Sequence, residues 1–175
     1  YPIVPHIAKG WKASPDRKEW TIYLRKGMKW SDGHPFTADD ILYWWNYEIK
    51  YTEKALHLWM HTAGQSGEII KIDNHTVKYV FPVPHALFLE HLATAFFFCA
   101  PRHYMKKYHP DIGDDELIEA EMKAKNIPTR RGLYVELRLY DNPKHPRLWP
   151  WLYRTYKANP PRSYVRNPYY WAVDS

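Results

Sequence analysis

Aromatic side chains constrain the fold of this chain more than any other feature of its sequence. Its 175 residues include nine tryptophans, fifteen tyrosines and six phenylalanines, which make up 17% of the chain. Because such a chain has much apolar surface to bury, its composition excludes the intrinsically disordered class, which is poor in aromatic residues and rich in charge. The length predicts one domain, or one with a small addition. No apolar run approaches the roughly 20 residues that a transmembrane helix needs.

The spacing of apolar residues predicts a mixture of strands and helices. Trp20–Arg25 alternates large apolar and polar residues, as a half-buried strand does, and residues 69–81 predict a hairpin that turns at Asp73–Asn74. Thr37 and the two acids that follow it are typical of a helix N-terminus, which predicts a helix over about 38–51. Because no βαβ rhythm links these elements, the sequence predicts an α+β fold.

Shorter patterns predict the remaining elements. Residues 2–10 are expected to form a loop that leads into the first strand. The other predicted elements are helices over 86–94, 101–108 and 114–126, and strands over 133–140, 148–156 and 163–166. The helix over 114–126 has the clearest ends, because acids open it, lysines precede its end and Pro128 follows it.

Residues that catalyse reactions or bind metals form no recognisable site in the sequence. Cys99 is the single cysteine and follows three phenylalanines, an apolar setting that makes a thiol unreactive. His57 and His61 have the i, i+4 spacing of helical metal ligands, but no Glu follows His57 and no third ligand is near. Asp39 and Asp40 suit a helix N-terminus better than a catalytic pair. The sequence therefore predicts no enzyme, no metal site and no other cofactor.

The charge of the chain does not favour a nucleic-acid partner. The formal net charge is +6, but the basic residues are scattered along the sequence, whereas nucleic-acid-binding domains cluster Lys and Arg on one face. A basic protein that stacks bases on its aromatic rings remains an alternative, and it predicts a steep dependence of affinity on salt.

The number of tryptophans indicates a different function, the binding of a ligand on aromatic rings. Packing accounts for most indoles in a protein, but a few can form flat platforms that stack on sugar rings, peptide side chains or bases. Trp149 and Trp151 are the most suggestive pair, because alternation along a strand would put both on one face, although Pro150 can interrupt that strand. This pattern favours a binding protein, and a secreted carbohydrate-binding module with tryptophan platforms is one candidate.

Several strings of the sequence identify a family. The longest covers residues 20–40 and runs from WTIYLRKGMKW through SDGHPFTADD. The others are AKGW at 8–11, IDNHTV at 72–77, PRHY at 101–104, NPKHPRLWPW at 142–151, and RNPYYW at 166–171 with Val173–Asp174 after it. In this order they resemble the signature of the family 5 extracellular solute-binding proteins, the oligopeptide, dipeptide, nickel and oligosaccharide receptors of bacterial ABC importers. Arg147 stands where one subgroup has threonine.

The resemblance implies a fold for the whole protein. The chain is expected to be a fragment of a periplasmic-binding-protein type II (cluster C) clamshell, which closes on its ligand by hinge motion. It implies that residues 1–130 form the small extra domain together with the segment that leads into lobe I, and that residues 131–175 form strands of lobe I. The second lobe and a lipoprotein segment are expected to lie outside this sequence.

The resemblance also implies a function. It implies capture of oligopeptides or oligosaccharides in the periplasm or at the outer face of the cytoplasmic membrane, and delivery to ABC permease subunits. Trp59 and His61 are candidate ligand-binding residues, because in related peptide receptors the segment after the signature helix helps to hold the ligand. Trp149 and Trp151 are the other two candidates, on their aromatic character and position. No cofactor and no nucleic acid is implied, and contact with a membrane is expected only through an anchor outside this chain.

Overall fold

The computed structural model describes residues 2–50, 59–95, 98–139, 142–154 and 163–172. Contacts divide the chain into two units: Tyr1–Gly27 with Thr37–Ala100, and Met28–Phe36 with Pro101–Ser175. In chain order the described elements are β1 (Ala8–Ala13), β2 (Glu19–Leu24), α1 (Ala38–Asn46), β3 (His61–Thr62), β4 (Gln65–Ser66), β5 (Glu68–Asp73), β6 (Thr76–Val80), α2 (Phe88–Thr94), α3 (Arg102–Met105), α4 (Asp115–Lys125), α5 (Arg130–Arg138), β7 (Trp151–Tyr153) and β8 (Tyr164–Arg166).

Strand pairing follows the predicted α+β class. The pairings among the described strands are all antiparallel, and the sheets are β1-β2-β6-β5, β3-β4 and β7-β8. The α+β prediction is therefore confirmed. The expected division into residues 1–130 and 131–175 concerns the subdomains of a longer receptor and stays a prediction. None of the helices in the described ranges combines the length and apolar character that a bilayer crossing requires.

The four-stranded sheet of the first unit has one buried face. Trp20, Ile22 and Leu24 of β2 are each almost fully buried, as the alternation in the sequence predicted. The hairpin β5–β6 pairs along β2, so the prediction over 69–81 is confirmed. The loop predicted over 2–10 is wrong from Ala8 onward, because β1 pairs with β2, with Trp11 opposite Ile22.

Helix α1 begins where the sequence predicted. Thr37 Oγ1 accepts the backbone N–H of Asp39 (3.3 Å), and the backbone N–H of Thr37 donates to Asp40 Oδ2 (2.9 Å), which forms a capping box. The helix ends at Asn46 and one 3₁₀ turn (Glu48–Lys50) follows, so it is shorter than predicted; the expected last residue, Tyr51, lies outside the described residues.

Helix α2 of the first unit matches its prediction closely.

The second unit contains the helices α3, α4 and α5. Helix α4 also matches its prediction closely, and the helix predicted over 101–108 forms as α3 followed by a 3₁₀ turn. The strand predicted over 133–140 is wrong: these residues belong largely to α5, which Thr129 opens by accepting the N–H of Gly132 (3.0 Å). Leu133, Tyr134 and Leu137 are buried on one side of this helix, and this spacing fits a helical turn rather than a strand.

The last two predicted strands form in part. β7 covers three residues of the strand predicted over 148–156, whose end at Tyr156 lies outside the described residues. β8 agrees with the strand predicted over 163–166. Val173 and Asp174, which completed the last family string, also lie outside the described residues.

Candidate ligand-binding surface

Trp59 lies in an aromatic cluster of the first unit. Its ring stacks on that of Trp44, with centroids 6.0 Å apart and planes at 10°, and it also contacts Tyr79 and Phe88. His85, which is itself buried, donates from Nε2 to the backbone carbonyl of Trp59 (2.9 Å). These contacts are typical of core packing. A role for Trp59 in ligand binding stays a prediction.

His61 follows in the same unit but in a different environment. It is exposed and lies in the two-residue strand β3, where it pairs with Ser66. His57, which has the i, i+4 spacing to it in the sequence, lies outside the described residues. Among the residues that the structure describes, no group of three or more His, Cys, Asp or Glu side chains is placed to hold a metal ion.

Trp149 and Trp151 lie in the second unit and are both exposed, at 44% and 53% of their surface. Trp151 begins β7 and is paired with Arg166 of β8. Trp149 precedes the strand, so the strand alternation that was expected to put both indoles on one face does not extend to it. Both large rings are nevertheless open to solvent, as a binding platform requires.

Backbone contacts hold the Trp149–Trp151 segment on both sides. Ser31 and Arg147 exchange two hydrogen bonds: Ser31 N–H donates to the Arg147 carbonyl (3.0 Å), and Arg147 N–H donates to Ser31 Oγ (2.9 Å). The buried side chain of Asn167 donates from Nδ2 to the Trp149 carbonyl (2.9 Å), while its own N–H donates to the Pro150 carbonyl (2.8 Å). The exposed rings therefore stand on a hydrogen-bonded backbone.

Arg147 links this segment to helix α5. Its buried guanidinium donates to the carbonyls of Leu139 and Arg138, at the C-terminal end of the helix, where backbone oxygens lack helical partners. Its Cζ also lies 5.0 Å from the centre of the Trp149 ring, within the range of a cation–π contact. Threonine, the residue of the related subgroup, is too short for either contact.

Arg166 forms the equivalent contact on the other indole. Its Cζ lies 6.0 Å from the centre of the Trp151 ring, and the residue is exposed on β8. Sequence patterns identified the two tryptophans but missed both arginines that stack on them. The replacement of the subgroup's threonine by Arg147 was the one signal that could have drawn attention to the first.

A second cluster joins three family strings within the second unit. His103 Nε2 lies 2.6 Å from Asp32 Oδ2, and the ring of His34 stacks on that of His103 with centroids 3.8 Å apart. Gly33, at φ +88°, brings the backbone against the Tyr169 ring. These contacts stabilise the turn at residues 31–35, so this part of the signature is structural.

Burial shifts the pKa values of three further titratable side chains. Burial raises the pKa of the Cys99 thiol well above its usual value, and the nearby carboxylates of Asp40 and Glu48 add to the effect. This agrees with the expected unreactive thiol. Burial also raises the pKa of Tyr104 to about 12. For His145, burial first and the Arg147 charge second lower the pKa well below the usual value.

The family follows from comparison with known proteins. Residues 2–136 match the family described as bacterial extracellular solute-binding proteins, family 5 Middle. The chain therefore belongs to this family, as its strings predicted. Its members are solute-binding proteins rather than enzymes.

Individual relatives differ in what their names say they bind. The chain is 30% identical, over 98% of its length, to a periplasmic alpha-galactoside-binding protein of Rhizobium meliloti (strain 1021), and covers 23% of that protein. It is 25% identical, over 97% of its length, to the nickel-binding periplasmic protein of Escherichia coli (strain K12), and covers 27% of it. A solved structure of an oligopeptide-binding protein OppA matches with a TM-score of 0.85 and 33% identity, over 98% of this chain and 27% of that one. The chain thus spans about a quarter of the length of these relatives.

Proposed function

We propose that the full-length protein is the substrate-binding component of an ABC importer that captures oligopeptides or oligosaccharides. The observation that supports this most is the family match over residues 2–136. Two relatives with an alpha-galactoside and an oligopeptide in their names agree with the proposed ligand classes. The full-length protein would pass its ligand to permease subunits of the importer.

The proposed location and architecture follow from the same family. Relatives named as periplasmic favour capture in the periplasm or at the outer face of the cytoplasmic membrane, with any membrane contact made outside this chain. The described fragment would belong to a type II (cluster C) clamshell, as its small extra domain and part of lobe I. The second lobe would come from the rest of a longer polypeptide, because the relatives are about four times as long.

The exposed indoles of Trp149 and Trp151 are the proposed platforms of the binding surface. An indole ring offers a large rigid face and loses little conformational entropy on contact. The hydrogen bonds from Ser31 and Asn167 hold the backbone of this segment before a ligand arrives, which lowers the entropic cost of binding. Trp59 and His61 remain the proposed contacts from the segment after α1.

Titration of the full-length protein tests this function. Tryptophan fluorescence and calorimetry with pools of oligopeptides and of cello- and xylo-oligosaccharides should show saturable binding to at least one pool. Trp151→Ala should weaken binding about fivefold or more, since a stacked aromatic contact contributes about 1–3 kcal/mol. Tyr23→Ala, which removes an exposed ring of β2, is the matched control and should bind normally. No response to any pool would contradict the proposed function.

A carbohydrate-binding module that acts without a partner lobe is the second candidate. The two exposed indoles beside a short hairpin favour it. Affinity electrophoresis of residues 1–175 in gels containing soluble glycans separates the candidates, because a module would be retarded alone and half of a clamshell would not.

A further inference from the structure

One buried cation lies directly beside the candidate platforms. Among the Lys and Arg residues in the described ranges, Arg147 alone is buried, with 9% of its surface exposed. A buried charge destabilises a fold unless fixed polar groups take the place of water around it. The surroundings of this side chain therefore show what it is held by and what it can hold in turn.

Hydrogen bonds fix Arg147 at both ends of its side chain. Its backbone N–H donates to Ser31 Oγ (2.9 Å), and its carbonyl accepts the N–H of Ser31 (3.0 Å). At the other end, Nη2 donates to the carbonyls of Arg138 and Leu139 at the end of α5. With the backbone and the head group both fixed, the planar guanidinium has a defined orientation.

The fixed guanidinium lies against the ring of Trp149. Arg147 Cζ is 5.0 Å from the ring centre, and 44% of the Trp149 surface is exposed. Trp59, by contrast, contacts three aromatic rings in the first unit. No aromatic ring in the described part of the chain stacks on Trp149. The guanidinium thus occupies the place beside this indole that aromatic neighbours occupy around Trp59.

The orientation of an exposed indole affects how well it can bind. A ring held only through its backbone samples several rotamers. A ligand that stacks on such a ring must select one of them, and the loss of rotamer freedom lowers affinity about two- to tenfold. A ring that is ordered before the ligand arrives avoids this loss.

We propose that Arg147 is a positioning residue of the binding surface, which holds the Trp149 indole in a single orientation. This inference rests on the proposed function, in which Trp149 is a platform, and adds the residue that orders it. Lysine cannot replace the arginine in this role. It keeps the charge and a donor for the α5 carbonyls but lacks the planar group that stacks on the ring.

Fluorine NMR of the full-length protein labelled with 5-fluorotryptophan tests the positioning directly. Trp149→Phe assigns the Trp149 resonance by its disappearance. In the parent this resonance should be single and displaced from its position in the urea-unfolded protein. In Arg147→Lys it should move most of the way to the unfolded position and become narrower, because the ring reorients freely. Arg147→Gln, which keeps a donor but no charge, is the second variant and should act in the same way.

Two controls separate the orientation of the ring from the stability of the fold. Asn142→Ala removes a neighbouring hydrogen bond to a carbonyl of α5 (2.8 Å) but leaves Arg147 in place. It should lower stability in urea unfolding without moving the Trp149 resonance. The Trp151 resonance, assigned with Trp151→Phe, should stay unchanged in Arg147→Lys. Circular dichroism establishes that each variant folds.

Calorimetric titration measures the consequence for binding. The probes are the oligopeptide pool and the cello- and xylo-oligosaccharide pools. Arg147→Lys should weaken binding of a pool that the parent recognises by about two- to tenfold. In a Trp149→Ala background the same substitution should have no further effect, because the ring that it positions is absent.

The outcomes separate this inference from the function on which it rests. A Trp149 resonance that is the same in the parent and in Arg147→Lys overturns the inference, whether or not a ligand binds. So does an equal displacement of that resonance by Asn142→Ala, since the ring would then follow the stability of α5. An equal loss of affinity in the Trp149→Ala background overturns it as well. Absence of binding of every pool to the parent, with the expected change in the resonance, overturns the proposed function and supports the positioning of the ring.

Discussion

At the scale of single residues, the second unit depends on side chains that complete the hydrogen bonds of distant backbone. Asn142 Nδ2 donates to the Leu137 carbonyl (2.8 Å), and Arg147 donates to the two carbonyls that follow. Together they satisfy the end of α5, where a cation is also favoured by the helix dipole. One arginine thereby stabilises a helix end and supports an exposed indole.

Replacing Arg147 by threonine, the residue of the related subgroup, should destabilise the full-length protein. Loss of hydrogen bonds from a charged donor to buried carbonyls costs about 1.5–3 kcal/mol. Denaturant unfolding monitored by circular dichroism measures the change. Lys144→Thr, an exposed neighbour in the same loop, is the control and should change stability by less than about 0.5 kcal/mol. Equal stability of the Arg147→Thr variant and the parent would show that the cap is dispensable.

Glycine is required at position 33 for two reasons, a left-handed backbone and close contact with the Tyr169 ring. A pair of glycine variants can separate the two. It has φ +88°, and a Cβ there would lie 3.1 Å from Tyr169 Cζ; Gly27 has φ +80° but open space around it. Gly27→Ala should cost about 1 kcal/mol from the left-handed backbone alone. Gly33→Ala should cost about 1–3 kcal/mol more, because the Tyr169 ring must move.

Thermal unfolding of the two glycine variants measures that difference. Adding Tyr169→Ala to Gly33→Ala should remove the excess cost, since the new Cβ then meets no ring. Equal destabilisation by both alanines would exclude a packing role for the Gly33 contact.

At the scale of elements, sequence patterns predicted helix and strand boundaries best where the residues that begin and end the element lie within the segment itself. Thr37 with Asp40, and Asp114 at the start of α4, accept or donate hydrogen bonds within three residues, so the sequence is sufficient to place these helix ends. The strand predicted over 133–140 failed because its apolar residues also fit a helical face, and short apolar runs do not distinguish the two. The loop predicted up to Gly10 failed because its partner strand, β2, lies elsewhere in the sequence.

The capping box of α1 should contribute measurably to stability. Thr37→Ala removes the side-chain acceptor for the Asp39 N–H and should lower the free energy of unfolding by about 1 kcal/mol. Thr37→Ser keeps the hydroxyl and should restore most of that loss. Urea unfolding of the three full-length proteins makes the comparison. If serine destabilises as much as alanine, the methyl group rather than the hydrogen bond accounts for the effect.

At the scale of the whole molecule, buried histidine should couple folding to pH. The pKa of His145 is lowered in the folded state by burial, with Arg147 as the second cause, while the unfolded chain has the ordinary value near 6.5. The unfolded state therefore binds this proton first as pH falls. Stability contributed by neutral His145 is present above about pH 6.5 and is lost below it, by at most about 1.4 kcal/mol per pH unit for one proton.

Melting temperatures of the full-length protein between pH 7.5 and 5 test this linkage. His145→Gln should be less stable than the parent at pH 7.5 but should lose less stability as the pH falls. Asn74→Gln, at an exposed residue of the β5–β6 turn that does not titrate, is the control and should keep the parent's pH slope. A parent slope unchanged by His145→Gln would exclude this histidine as the cause.

The sequence by itself determined the family, the α+β class and the helices and strands whose signals are local, because strings such as residues 20–40 contain their turn, cap and alternation within a few residues. Only the tertiary structure decided which tryptophans are exposed. Trp59 stacks in the aromatic core, whereas Trp149 and Trp151 stay open to solvent beside stacked arginines. Exposure depends on contacts between residues far apart, such as the Ser31–Arg147 pair separated by 116 positions, and composition and spacing contain no record of such contacts.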